Sequence, residues 1–186
     1  IAVTSTTGIS SLNIGGKTIH SWSGITPLTD FTDVDEFVKL TRQNNVKTNN
    51  WLFTKVLVID EVSMLSSQLF LFLDQVAKAI RGSSDPFGGI QVILTGDFYQ
   101  LPPVESGNRY IFDEDCWDEL IDYTIILKKS YRQNEKNLVN FLNKIRTGNL
   151  DRDCHDQIEK YKTNPNYDST FTHLYPNKSN VEQFNT

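Results

Sequence analysis

The chain has 186 residues, 38% of them apolar and 22% charged, with a formal net charge of −5. That length supports one good core, or one domain plus part of another, and the acidic balance excludes coating nucleic acid by bulk electrostatics while leaving room for a local groove of hydroxyls, amides and a few cations. No apolar run reaches the roughly 20 residues that span a bilayer, and two cysteines with three scattered histidines argue against a disulfide framework and structural zinc, and for a reducing compartment.

Ile1-Ala2-Val3-Thr4 reads as a buried strand, followed by the small-residue turn Ser5-Thr6-Thr7-Gly8. The chain opens in mid-strand and not on Met, so truncation at the N-terminus is expected; no signal or transit peptide is legible. Residues 26 to 50 are polar around an apolar-acidic patch (Phe31, Val34, Phe37, Val38, Leu40) and run into an Asn-rich stretch. This reads as an insertion or small subdomain between core strands. Val56-Leu57-Val58-Ile59 then forms an uninterrupted apolar run ending in Asp60-Glu61, the pattern of a strand buried on both faces of a parallel sheet.

Leu69, Leu73, Val76 and Ile80 recur at spacings of four, three and four, which predicts a helix with one apolar face. Gly82 through Gly89 breaks it. A second acid-tipped strand follows, Gln91-Val92-Ile93-Leu94-Thr95-Gly96-Asp97. Strand, helix and strand in this order make a crossover unit, so the sheet is expected to be parallel and doubly wound. Thr124 to Leu127 reads as a further core strand. Glu135 to Thr147 reads as a helix with Leu138, Phe141, Leu142 and Ile145 on one face and Gly148 as its cap. A shorter helix carries Cys154, Ile158 and Tyr161, Asn164-Pro165-Asn166 breaks the chain, and Phe171 to Tyr175 reads as a strand opening a second domain. No internal repeat is present.

Ligands of parallel sheets bind outside the carboxyl ends of the strands, where Asp60, Glu61 and Asp97 fall. An acidic pair there suits a nucleotide's magnesium ion and attacking water. Asp60 would hold Mg2+ mostly through its waters, and Glu61 would orient and deprotonate the water that attacks the γ-phosphate. The plainer reading of such a pair is a strand-end acid that caps the next helix. Gln100 offers a neutral amide to the γ-phosphate or the water, and Pro102-Pro103 would stiffen the segment that transmits its state; a proline-rich surface turn is the plainer alternative.

Asp60-Glu61 followed by Gly96-Asp97-x-x-Gln100-Leu101-Pro102-Pro103 resembles motifs II and III of superfamily-one DNA helicases. The stretch Leu71 to Arg81, with Pro86-Phe87-Gly88-Gly89-Ile90-Gln91, resembles the signature of the Pif-one family within them. The likeness runs from Ile1 to about residue 180 and is weakest between 26 and 50. It implies an α/β, RecA-like P-loop NTPase fold with a parallel, doubly wound sheet. Residues 1–130 would be the first motor domain, with a wedge-like insertion at about 26–50; residues 131–186 would hold connector helices and the start of the second. The activity implied is ATP-dependent 5′-to-3′ DNA unwinding in replication, repair, recombination or telomere maintenance. ATP and Mg2+ would be its cofactors, and single-stranded, forked or G-rich DNA its partner. The parent would be a monomeric motor without a membrane segment, nuclear or mitochondrial if eukaryotic.

The same resemblance assigns residues by position. Thr4, Ser5, Thr6, Thr7 and Gly8 look like motif Ia, which grips DNA phosphates, and His20 and Ser21 look like donors of the adjoining DNA-contact motif; small hydroxyl side chains bind phosphate without reading sequence. Tyr131-Arg132-Gln133 is similar to motif IV, where Arg132 would contact the γ-phosphate and stabilise charge on its oxygens. Trp51, at the exit of the insertion, would stack on a base if exposed and serve the core if packed.

The phosphate cradle of such enzymes, G-x-x-x-x-G-K-[ST], is not found. Gly16-Lys17-Thr18 imitates its end, but Ser11 stands where its first glycine should be, and Lys17 lies well beyond the first strand. The cradle is expected upstream of Ile1 and the later motifs beyond Thr186, so the isolated chain is expected to be inactive. Two other functions fit parts of the pattern: a P-loop NTPase without motor action, and a catalytically dead nucleic-acid-binding module.

Overall fold

A computed structural model of the chain describes residues 1–104, 109–129, 131–132, 135–162 and 172–185. It divides into two compact units, Ile1–Lys128 and Lys129–Thr186. In the first, β1 (Ala2–Ser5), β2 (Lys17–Thr18), β3 (Val56–Asp60) and β4 (Gln91–Leu94) form one parallel sheet in the order β2-β1-β3-β4. Helix α1 (Gly8–Asn13) connects β1 to β2, and α2 (Ile19–Ser23) leaves β2 directly.

Register decides which side chains share a face. Ala2 pairs with Leu57 and Leu57 with Val92; Thr4 pairs with Ile59 and Ile59 with Leu94. These rows face the core, where Leu57, Ile59 and Thr4 are fully buried. The alternate row, Val3, Val58 and Ile93, points the other way, because successive strand residues face opposite sides. Val3 and Ile93 stay 36% and 44% exposed. The expectation of burial on both faces therefore holds for one face only: the apolar run specifies a strand, but burial needs a second layer, which the described residues do not put over this row.

The covering helix is α5 (Ser67–Arg81), capped by Ser66, whose hydroxyl accepts from Leu69 N. Leu69, Leu73, Val76 and Ile80 are all buried, as their spacing predicts, together with Phe70, Phe72 and Ala77. At roughly 1.5–3 kcal/mol for each large apolar side chain removed from water, α5 is the main anchor of this layer.

Residues 26 to 50 supply α3 (Val34–Arg42) and most of α4 (Asn45–Phe53), capped by Asp33 and Asn44. Phe31 and Phe37 set their rings 5.1 Å from Phe72 of α5, so the apolar patch of the insertion docks on the core. Leu40, counted with that patch, is 55% exposed. Trp51 is fully buried, 4.7 Å from Trp22 between ring centroids, and its Nε1–H donates to Ser23 O at 3.1 Å. Of its two sequence readings the structure selects the packed one.

After α5 the chain makes a tight turn at Pro86–Gly89, with Phe87 at φ 50° and Gly88 at φ 59°. A left-handed Phe is costly, and two contacts hold it. The buried Asp74 accepts from Phe87 N at 2.7 Å, and the Phe87 ring lies 5.2 Å from Phe70. Lys78 pairs with the other carboxylate oxygen of Asp74 at 2.7 Å. Beyond β4 lie a turn at Ile111–Asp113 and α6 (Trp117–Leu120).

Thr124–Leu127 is not a strand. Tyr123, Ile125, Ile126 and Leu127 are 77–90% exposed there, because an apolar run becomes a strand only beside a partner, and no described strand pairs with it. In the second unit, α7 (Lys136–Arg146) and α8 (Arg152–Lys162) match the two predicted helices, and Gly148 takes the left-handed turn after the first. Phe141 and Cys154 are buried, whereas Leu142 and Ile145 of the predicted face are 38% and 42% exposed. Residues 172–175 form no strand; His173 and Tyr175 pack their rings on Phe184 of α9 (Lys178–Asn185). Phe171 and Asn164-Pro165-Asn166 lie outside the described residues.

Candidate nucleotide and DNA site

Parallel pairing carries β3 and β4 to the same edge, so Asp60 and Glu61 emerge beside Thr95, Gly96 and Asp97. Ile59 pairs with Leu94, which puts Asp60 level with Thr95 on the open face of the sheet. Thr95 Oγ1 donates to Asp60 Oδ1 at 3.2 Å, and Ser10 Oγ from α1 reaches Oδ2 at 3.5 Å. Two hydroxyls thus orient one half-buried carboxylate. Neither hydroxyl was picked out in the sequence: two aligned strands ending side by side could have pointed to Thr95, whereas the approach of Ser10 depends on how α1 folds back.

Glu61 is half-buried with φ 56° and ψ 46°, left-handed, one of two such non-glycine residues described. This conformation costs on the order of 1–2 kcal/mol and persists only where neighbours over-determine it. They do. Glu61 O accepts from Thr6 Oγ1 at 3.0 Å and from Met64 N at 3.2 Å; Asp60 O accepts from Thr6 N at 3.2 Å; Val62 N donates to Thr95 O at 3.1 Å. Gly96 sits close beneath at φ 153°, where a Cβ would lie 2.7 Å from Val62 N. No side chain fits there.

Past β4, Asp97 organises the next turn, accepting from Tyr99 N through Oδ1 at 3.0 Å and from Gln100 N through its carbonyl at 2.9 Å. Gln100 is exposed on this same turn, within the first unit, as are Tyr99 and Leu101. Phe98 packs edge-on against Phe112 and Tyr110, with centroids 4.8 and 5.9 Å away. Arg132 is exposed and belongs to the second unit.

The hydroxyls of the first turn require a correction. Thr4 Oγ1 donates to Val58 O at 2.7 Å and Ser5 Oγ to Asp60 O at 3.3 Å, and both residues are fully buried. A hydroxyl has one hydrogen to give, and both hydroxyls already give theirs to β3, which leaves neither free to donate to a phosphate. Thr6 spends its hydrogen on Glu61 O. Thr7 Oγ1 caps α1 by accepting from Ser10 N, which leaves its own O–H to give, and Gly8 beside it is exposed. Ser21 is exposed and His20 half-buried on α2, whose N-cap is Thr18. Lys17 lies within β2, opposite Thr4, and not in a loop entering a helix.

Among the described residues no group of three His, Cys, Asp or Glu side chains comes together, and no helix is long and apolar enough to cross a membrane. The donor set nevertheless fits magnesium at a nucleotide, which takes one or two carboxylates and completes its shell with phosphate oxygens and water.

A parallel sheet whose acid-tipped strands end side by side is an α/β architecture that binds its ligands at the carboxyl edge of the strands. Comparison with protein families matches residues 1–156 to the PIF1-like helicases. The chain is 40% identical over 192 residues to the ATP-dependent DNA helicase RRM3 of Saccharomyces cerevisiae, covering all of this chain and 26% of that protein. Among solved structures, the Pif1 helicase from Candida albicans superposes with a TM-score of 0.89 at 35% identity, over 99% of this chain and 42% of that one. The Bacteroides Pif1 helicase in complex with ADP-AlF3 and single-stranded DNA gives 0.80 at 29% identity, over 99% and 46%. The chain belongs to the PIF1-like helicase family. It spans about a quarter of the length of the curated relatives it matches.

Proposed function

We propose that this chain supplies the magnesium- and water-handling half of the ATP site, with part of the DNA contact, in an ATP-dependent 5′-to-3′ DNA helicase. The observation that carries the reading is the Asp60-Glu61 pair at the end of β3, held beside Thr95 and the Gln100 turn. In this assignment Ile1–Lys128 is the bulk of the first motor domain, the insertion at 26–50 is its wedge, and the second unit begins the second motor domain. Asp60, its two oxygens oriented by hydroxyls, would hold Mg2+ mostly through water. Magnesium would supply charge neutralisation on the phosphates. Glu61 takes the proton of the attacking water, Gln100 reports the γ-phosphate, and the family position of Arg132 makes it the cation for that phosphate.

On the DNA side, Thr7, Gly8, His20 and Ser21 keep exposed or half-exposed groups for phosphate contact. The substrates would be single-stranded DNA and forked or G-rich structures, in replication, repair, recombination or telomere maintenance. The single-stranded DNA in the Bacteroides relative's complex supports the first of these.

The test is Glu61→Gln in the full-length protein. The amide keeps shape and cannot take a proton, so turnover should fall by about 10²–10⁴-fold while ATP binding persists. Unchanged ATPase turnover would remove Glu61 from this role.

A further inference from the structure

We propose that Thr6 is the positioning residue for Glu61: its side chain and backbone together set the orientation of the hydrolytic acid, and they belong to the turn that carries the DNA-contact candidates. The proposal rests on the function given above. Three observations carry it. Glu61 is left-handed, so its carboxylate direction is a property of how its backbone is held. Thr6 reaches both carbonyls flanking that position, Asp60 O through its N–H at 3.2 Å, beside Ser5 Oγ, and Glu61 O through Oγ1 at 3.0 Å, beside Met64 N. And the same turn reaches solvent two residues on, at the exposed Gly8, past Thr7, which is half-buried like Thr6.

Without the Thr6 hydroxyl, Glu61 O keeps only Met64 N, at 3.2 Å. A non-glycine residue released from the left-handed region relaxes toward the α or β basin. That rotation swings Cβ, and the carboxylate with it, away from the edge that Asp60 and Thr95 define. Displacement of an atom by about 1 Å suffices to cost a reaction on the order of 10²-fold when a near-attack geometry is lost. Thr6 thereby differs from Thr4, whose hydroxyl reaches Val58 O, and from Ser5, which shares Asp60 O with Thr6 N: neither reaches the carbonyl of Glu61 itself. A phosphate drawn onto Thr7 and Gly8 would pull on the residue that holds Glu61. DNA engagement and hydrolysis would then share one short hydrogen-bonded link.

The experiment compares Thr6→Val, Thr6→Ser and Ser23→Ala in the full-length protein, by ATPase kcat at saturating oligo-dT, KM for ATP, oligo-dT affinity and thermal melting. Ser23→Ala is the control for general loosening, since it deletes another buried hydroxyl-to-carbonyl bond, to Ile19 O at 2.8 Å. Thr6→Val should lower kcat at least tenfold, with KM and oligo-dT affinity within about twofold of wild type, and Thr6→Ser should restore most of it. Ser23→Ala should melt earlier and keep its kcat. Three results overturn the proposal: an unchanged kcat in Thr6→Val, a turnover deficit confined to subsaturating oligo-dT, or an equal loss in Ser23→Ala. If wild-type turnover survives Glu61→Gln, Glu61 is not the base and this proposal falls with that role; a loss in Glu61→Gln without one in Thr6→Val refutes the proposal alone.

Discussion

Replacing Arg81 tests how the insertion is fastened to the sheet. Arg81 ends α5, and its Nε donates to Gly88 O at 2.6 Å while Nη1 serves Trp51 O and Leu52 O at 2.9 Å and Thr54 O at 3.3 Å. These acceptors include the last carbonyls of α4, which lack partners inside their own helix. One planar fork therefore joins the signature turn, α5 and the end of α4. A lysine keeps the charge but has a single ammonium, which cannot serve Gly88 and the α4 carbonyls together. Hydrogen bonds to charged groups contribute about 1.5–3 kcal/mol each. Arg81 is half-exposed and Nη1 is shared among three acceptors, so the set counts as fewer than two such bonds. We expect a loss of ~2–3 kcal/mol for Arg81→Ala and ~1–2 kcal/mol for Arg81→Lys. With about 2.1 cal/mol/K of unfolding entropy per residue over Ile1–Lys128, each kcal/mol moves the midpoint by about 4 °C. The alanine variant should melt about 8–12 °C early and the lysine variant about 4–8 °C early. Thermal unfolding followed by circular dichroism and by the emission of the buried Trp51 gives the readout. A lysine variant that melts with wild type would refute the argument that the fork geometry matters.

Gly88→Ala should destabilise by ~3 kcal/mol or more, since its Cβ would meet Ala77 O at 2.6 Å at a φ of +59°; an unmoved urea midpoint would contradict this. In the second unit, Lys144 Nζ lies 2.6 Å from Asp151 Oδ2, and Asp151 Oδ1 accepts from Cys154 N at 3.0 Å at the start of α8. The Lys144 ammonium, then the Cys154 amide, holds the Asp151 carboxyl well below the usual carboxylate range. Its folded-state pKa is depressed, so its stabilisation is present above the unfolded carboxylate value of about 3.9 and is lost as pH falls through the folded one. Amide exchange in the first turn of α8, corrected for intrinsic rates, should accelerate as pH drops below about 4, and Asp151→Asn should abolish that dependence.

Local signals were legible and long-range ones were not. The spacing of Leu69, Leu73, Val76 and Ile80 dictated α5, because a helical face is written in consecutive residues. Asp60 and Glu61 stood out because a strand's end is visible in its own sequence. Whether Thr4 and Ser5 faced water or a neighbouring carbonyl was hidden, since it depends on register with β3, more than 50 residues away. The roles of Trp51 and Arg81 depended likewise on acceptors from distant segments. Thr124–Leu127 failed as a strand for the same reason: strand identity belongs to a pair.

Glu61 carries a consequence for how this protein can change over time. At φ 56° the backbone would be most comfortable with glycine, or with asparagine, so substitutions that raise stability at this position also remove the carboxylate. A copy relieved of its chemistry would gain stability by losing this side chain, and drift there would be downhill. Laboratory screens that select on melting temperature alone would find the same route. With Glu61 in the proposed role of base, selection for a sturdier fold and selection for hydrolysis point in opposite directions at this one residue.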